Sequence, residues 1–127
     1  MTGFVGNIEE LTLANNNFRQ VIFTGNHSQL VLMTLKPNQD IGMEVHPNVD
    51  QFFRIEQGQG KIVLNGEEQQ VSNGYAIVVR AGTNHNLINT SSTDPLKLYT
   101  IYSPAQHKDG VVHATKAEAE ADNTDHL

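Results

Sequence analysis

The sequence predicts an all-β barrel or sandwich with a short helical segment near each end. Two observations carry that prediction. Short runs suited to strands recur at even spacing along the 127 residues. The breaks between them are made of Gly, Asn and Pro rather than of helical connections, as at Gly25-Asn26-His27, Gly58-Gln59-Gly60, Asn65-Gly66 and Ser72-Asn73-Gly74. No internal repeat and no linker interrupts the pattern, and the length suits one domain, residues 1–127, with a real core.

Taken in order, Asn7-Ile8-Glu9-Glu10 has the form of a capping box and starts a short helix. Asn15-Asn16-Asn17 is a loop. Residues 18–23 and 29–36 read as strands, and the apolar density of residues 30–35 predicts burial on both faces. Pro37 to Asp40 is a loop. A strand begins near Gln51, and its alternation places Gln51, Phe53 and Ile55 on one face. Asn65-Gly66 predicts a two-residue hairpin between strands 61–64 and 67–71. Strands follow at 75–79, 85–89 and 96–103, with a polar loop at 90–95. Thr115-Lys116-Ala117-Glu118 repeats the capping-box pattern ahead of a helix-favouring stretch to Ala121, and residues 123–127 are expected to fray.

Composition excludes several classes of function. The net charge is −6 with only 8 basic residues, and no basic cluster marks a nucleic-acid surface. There is no cysteine, hence no disulfide, thiol nucleophile or thiolate metal site. The first ten residues lack a basic start and a long apolar run, and no window is apolar enough for a membrane span. A cytoplasmic location is the expectation.

The chemistry gathers in two stretches. In the first, Glu44 and His46 lie two apart, so in a strand both point the same way. Pro47-Asn48 then reads as a turn that folds the strand beginning at Gln51 back beside the first. The second stretch contributes His85 after an Ala-Gly turn. Two imidazoles, a carboxylate and an amide oxygen form a donor set that a divalent transition metal accepts, with positions left open for a small molecule. Asp50 competes with Gln51 for the fourth place. If Gln51 takes it, Asp50 faces the other side, toward a cation such as Arg54. His27, His107, His113 and His126 read as surface histidines. Met33, Met43, Phe52 and Phe53 read as core or pocket lining, and Arg80 as a surface residue.

These stretches resemble the two motifs of the cupins, small β-barrel proteins. Gly74, Gly82, His85 and Asn89 match the spacing of the second motif; His46, the Gln51 position and Gly58 match the latter half of the first. Glu44 stands where a His is usual, Gln51 where a Glu is usual, and Arg80 where a Pro is usual. Gly42 lies too close to Glu44 to be the motif's opening Gly. The resemblance covers about residues 18–105, leaving 106–127 as a tail. It implies a jelly-roll (double-stranded β-helix) barrel and supports Glu44, His46, Gln51 and His85 as metal ligands, with Gln51 preferred to Asp50 because of its spacing to Gly58. Within the cupins the chain looks like the small mannose-6-phosphate-isomerase-like members.

The implied function is a metal-dependent enzyme, with Zn, Mn, Fe or Ni, acting on a sugar, sugar phosphate or carbonyl compound as an isomerase or a dioxygenase. Its rival is a non-catalytic cupin that binds a sugar or another small molecule. Phe53 and Ile55 are expected to line the pocket, and no catalytic base is assigned. Small cupins usually pair, which predicts a homodimer through the N-terminal strand region.

Overall fold

A computed structural model describes residues 2–127. The chain runs α1 (Ile8–Ala14), β1 (Arg19–Thr24), β2 (Gln29–Leu35), β3 (Asp50–Gln57), β4 (Gln59–Leu64), β5 (Glu67–Ser72), β6 (Ala76–Val79), β7 (His85–Asn89), β8 (Leu96–Ser103), β9 (Val112–His113) and α2 (Lys116–Ala121). Six strands form one sheet in the order β6-β3-β8-β2-β1-β9, and three form a second in the order β5-β4-β7. Every pairing between these strands is antiparallel. The core lies between the sheets, where Val31, Met33, Leu35, Phe53, Ile55, Ile62, Leu87, Leu96 and Leu98 pack together.

The local signals act as the sequence predicts. Asn7 Oδ1 accepts from the Glu10 N–H at 3.1 Å and caps α1; Thr115 Oγ1 does the same for Glu118 at the start of α2, also at 3.1 Å. Asn65 and Gly66 both take positive φ, 48° and 87°, so the β4–β5 hairpin turns with the twist of its strands. Alternation along β3 buries Gln51, Phe53 and Ile55 and turns Asp50 outward. β2 is buried on both faces because α1 and its following loop cover its outer side: the Thr34 hydroxyl donates to the Asn15 carbonyl at 2.8 Å.

Two glycines set how closely the layers approach. A Cβ on Gly60 would stand 2.5 Å from the Ile88 carbonyl oxygen. One on Gly58, where φ is +106°, would stand 2.6 Å from the Pro95 carbonyl oxygen. Neither position accepts a side chain without moving backbone.

Several expectations are overturned. Residues 44–46 form no strand; Glu44 makes one isolated bridge, to His85. Nor does β3 fold back beside this segment, because its neighbours are β6 and β8. The tail does not fray at Asp125, which is buried, and Leu127 N–H bonds the Gln106 carbonyl at 3.1 Å. His107 and His113 are buried, each with a carboxylate partner, while His27 and His126 are exposed as expected. Met43 is exposed rather than lining anything apolar.

Candidate functional site

The segment between β2 and β3 runs along the open edge of β7, and backbone bonds hold it there. Asn89 N–H donates to the Gln39 carbonyl at 2.9 Å and Ile41 N–H to the Leu87 carbonyl at 3.0 Å. Glu44 and His85 exchange both backbone hydrogen bonds, each 2.9 Å. Gly82, in the turn before His85, donates its N–H to the His46 carbonyl at 2.8 Å. The main chain thus sets Glu44 and His46 beside His85, and no attraction between the side chains is needed to bring them together. Gln51 arrives from the opposite sheet, on the inward face of β3.

The side chains leave an electrostatic conflict. His46, Gln51 and His85 are all buried. His85 Nδ1 lies 2.9 Å from the Thr83 carbonyl, which can only accept, so Nδ1 carries the hydrogen. Burial lowers the His85 pKa, which keeps the ring neutral and leaves a lone pair on Nε2. That lone pair faces Gln51 Oε1 at 3.1 Å, while Gln51 Nε2 donates to Thr100 Oγ1 at 3.0 Å. Two acceptors therefore oppose each other. His46 Nε2 is 3.1 Å from Glu44 Oε2 but out of line with it, and this buried nitrogen has no hydrogen-bond partner. Burial works to raise the Glu44 pKa, but the neighbouring His46 and the charge of Arg19 prevail and hold it below its ordinary value. The His46 and His85 rings are 5.3 Å apart between centroids. Phe53 packs edge-on to His85 and Tyr102 edge-on to His46.

A divalent cation suits such a set. It would sit between lone pairs that otherwise repel and give His46 Nε2 a partner, so the donors fit a divalent metal in chemistry and in number. Asp50, the competing fourth donor, is elsewhere: it is exposed and accepts from the Ala81 N–H at 2.8 Å, while Arg54 pairs with Glu56 instead.

Beside Glu44 and His46 opens a cavity of about 470 Å³, whose walls include Arg19, Lys116, Asp122 and His126. Phe53 and Ile55 do not line it; both are sealed in the core, and Phe53 acts only as a backstop to the His85 ring.

A second group of donors meets the cavity wall at His126, where ligand atoms of His107, Asp125 and His126 all fall within 4.8 Å of one another. His107 Nδ1 and Asp125 Oδ2 are only 2.6 Å apart. Two ligands each about 2.0–2.1 Å from one ion would subtend an acute angle at that separation, so the pair is a hydrogen bond. His107 Nε2 lies 3.1 Å from the Tyr102 hydroxyl, which occupies its other nitrogen. The result is a buried chain from Asp125 through His107 to Tyr102, ending against His46.

Sequence reasoning missed Arg19, Tyr102 and the His107–Asp125 pair. Arg19 carried a signal: in a strand over residues 18–23 it shares a face with Val21, an unusual place for a charge. Tyr102 shares the inward face of β8 with Leu96, Leu98 and Thr100.

Comparison with known proteins agrees with this architecture. Residues 31–102 match the family model described as Cupin domain, and the chain belongs to that family. It is 52% identical over 124 residues to the YrkC protein of Bacillus subtilis (strain 168), spanning 93% of this chain and 66% of YrkC. It is 48% identical over 120 residues to protein L612 of Acanthamoeba polyphaga mimivirus, spanning 91% of this chain and 74% of L612. The crystal structure of BH2720 from Bacillus halodurans superposes with a TM-score of 0.91 at 46% identity, covering 94% of each chain. The family match includes Glu44, His46, Gln51, His85 and Tyr102 but stops short of Arg19, Lys116 and Asp125. Among the described residues no helix is long and apolar enough to cross a membrane.

Proposed function

We propose that Glu44, His46, Gln51 and His85 hold a divalent metal ion, Zn, Mn, Fe or Ni, and that the protein is a metal-dependent enzyme acting on a small oxygenated molecule in the adjoining cavity. The observation that carries this reading is the pair of unsatisfied imidazole nitrogens: His46 Nε2, buried without a partner, and His85 Nε2, facing an amide oxygen. When bound, such an ion supplies Lewis acidity, since one carboxylate neutralises half of a 2+ charge. The protein's own contributions are orientation and exclusion of water. The Thr83 carbonyl fixes the His85 tautomer, the Thr100 hydroxyl turns the Gln51 oxygen inward, and Phe53 backs the His85 ring.

Turning the Gln51 amide over would also relieve the 3.1 Å contact, with no ion needed. Metal content separates the two cases. Elemental analysis of the purified protein should find close to one metal per chain, and His46→Ala and His85→Ala should each reduce it to a small fraction and lower Tm. Full retention in either variant rules out this ligand set.

The combination of Gln, His, Glu and His resembles that of mannose 6-phosphate isomerases and favours isomerase-type chemistry. Charged residues line the cavity, which favours turnover over passive binding. Sugar phosphates, keto acids and diketones should be tried with and without air. Oxygen uptake would indicate a dioxygenase, and isomerised product without uptake an isomerase. Tight binding without turnover would make the protein a non-catalytic sugar- or metabolite-binding cupin. We further propose a cytoplasmic homodimer joined through the N-terminal strand region and the segment that leads into it, where Val5 is fully exposed and Leu11 and Leu13 are partly so.

A further inference from the structure

Arg19 is a buried cation with little to hold it. Its residue exposure is 6%, it lines the cavity beside Glu44 and His46, and its Nε is buried without a hydrogen-bond partner. Its ion-pair partner is Asp125, with Nη1 to Oδ2 at 3.9 Å, beyond hydrogen-bond reach. That same carboxylate oxygen is already taken by His107 at 2.6 Å. The guanidinium stands over the Phe18 ring, 5.2 Å from its centroid, which fixes its position but satisfies none of its N–H groups. Leaving a buried guanidinium so poorly partnered is costly unless something else completes it.

The other charged residues around the cavity are either already engaged or, like Glu120, of the wrong sign to receive an anion. Lys116 is paired with Asp40 at 2.7 Å and Asp122 with His113 at 3.0 Å. Glu44 belongs to the donor set. Arg19 is left as the cation able to receive an anion, and its planar fork matches a carboxylate or a phosphate in two parallel hydrogen bonds. The charge balance decides between them. A phosphate ester brings close to two negative charges into a cavity also lined by Glu120, which no ion pair neutralises among the described residues, whereas a carboxylate brings one, matched by one guanidinium.

We propose that Arg19 anchors the carboxylate of a small hydroxy- or keto-carboxylic acid, whose remaining oxygens point toward Glu44 and His46. This rests on the reading that the cavity takes the substrate, and it narrows that substrate to an acid.

Calorimetric titration of the full chain tests it, using glycolate, its neutral counterpart ethylene glycol, and glycerol 3-phosphate as probes, with metal content measured on every sample. Glycolate should bind about tenfold or more tightly than ethylene glycol, as expected when a charge-assisted pair is made. R19Q should lose that preference while keeping its metal. R19K should keep part of it, since it restores the charge without the fork, and it serves as the test variant if R19Q does not fold. Failure of glycolate to bind, an undiminished preference in R19Q or R19K, or tighter binding of the phosphate ester would each overturn the proposal. A wild-type protein without metal would instead defeat the ligand set, and the Arg19 comparison would then be decided on metal-free protein.

Discussion

His107 divides its two ring nitrogens between Asp125 and Tyr102, and burial together with the Arg19 guanidinium pushes its pKa down to about 4. The imidazole is therefore neutral in the fold, while in the unfolded chain it titrates near its ordinary value of about 6.5. Between those values the unfolded chain takes up a proton that the folded one refuses, so stability is fully present above about pH 6.5 and is lost as the pH falls toward 4. Urea midpoints of the metal-free protein should fall through that window. His107→Gln should flatten the fall, leaving a residual slope from His85, which is also lowered. An equal slope in wild type and His107→Gln would show that this ring is not kept neutral. At this scale the meeting of His46, Gln51 and His85 was readable, because their spacing repeats a motif. It was unreadable for His107, whose burial depends on a carboxylate eighteen positions on that nothing local marks.

The smaller sheet shows how an element depends on one missing atom. β4 lies between β5 and β7, and at Gly60 it passes so close to Ile88 that a methyl group would overlap the carbonyl oxygen at 2.5 Å. Gly60→Ala should destabilise the fold by about 1–3 kcal/mol, the usual cost of forcing extra volume into packed structure. It should also disturb His85, because the strand displaced is the one that carries it. A urea midpoint equal to wild type would mean that β7 yields easily. The β4–β5 hairpin was legible because alternation and Asn65-Gly66 agree on it. The segment holding Glu44 was not, because it is ordered by the edge of β7 and makes no ladder of its own. The two-residue spacing still brought both Glu44 and His46 to one cavity, for a reason other than the expected strand.

For the whole molecule, exposed Val5, Leu11 and Leu13 are the apolar side chains that dimer formation would cover. Light scattering at roughly tens of micromolar protein should give twice the chain mass, and Val5→Glu with Leu11→Glu should shift the balance to monomer. A monomeric wild type would discard the dimer. The barrel itself was visible in the sequence because strand length, turn chemistry and burial all agree. The tail was not, because residues 122–126 are polar and carry no period, and Asp125 is buried by partners distant in sequence, His107 and Arg19. That dependence has a consequence for the order in which the protein is made. The family-matched residues 31–102 are synthesised before Asp125, so the strands they form exist in the nascent chain while Arg19 and His107 still lack that carboxylate. The cavity wall is then completed by the last of the described residues, and a chain cut before Asp122 would leave Arg19 and His107 without their shared carboxylate.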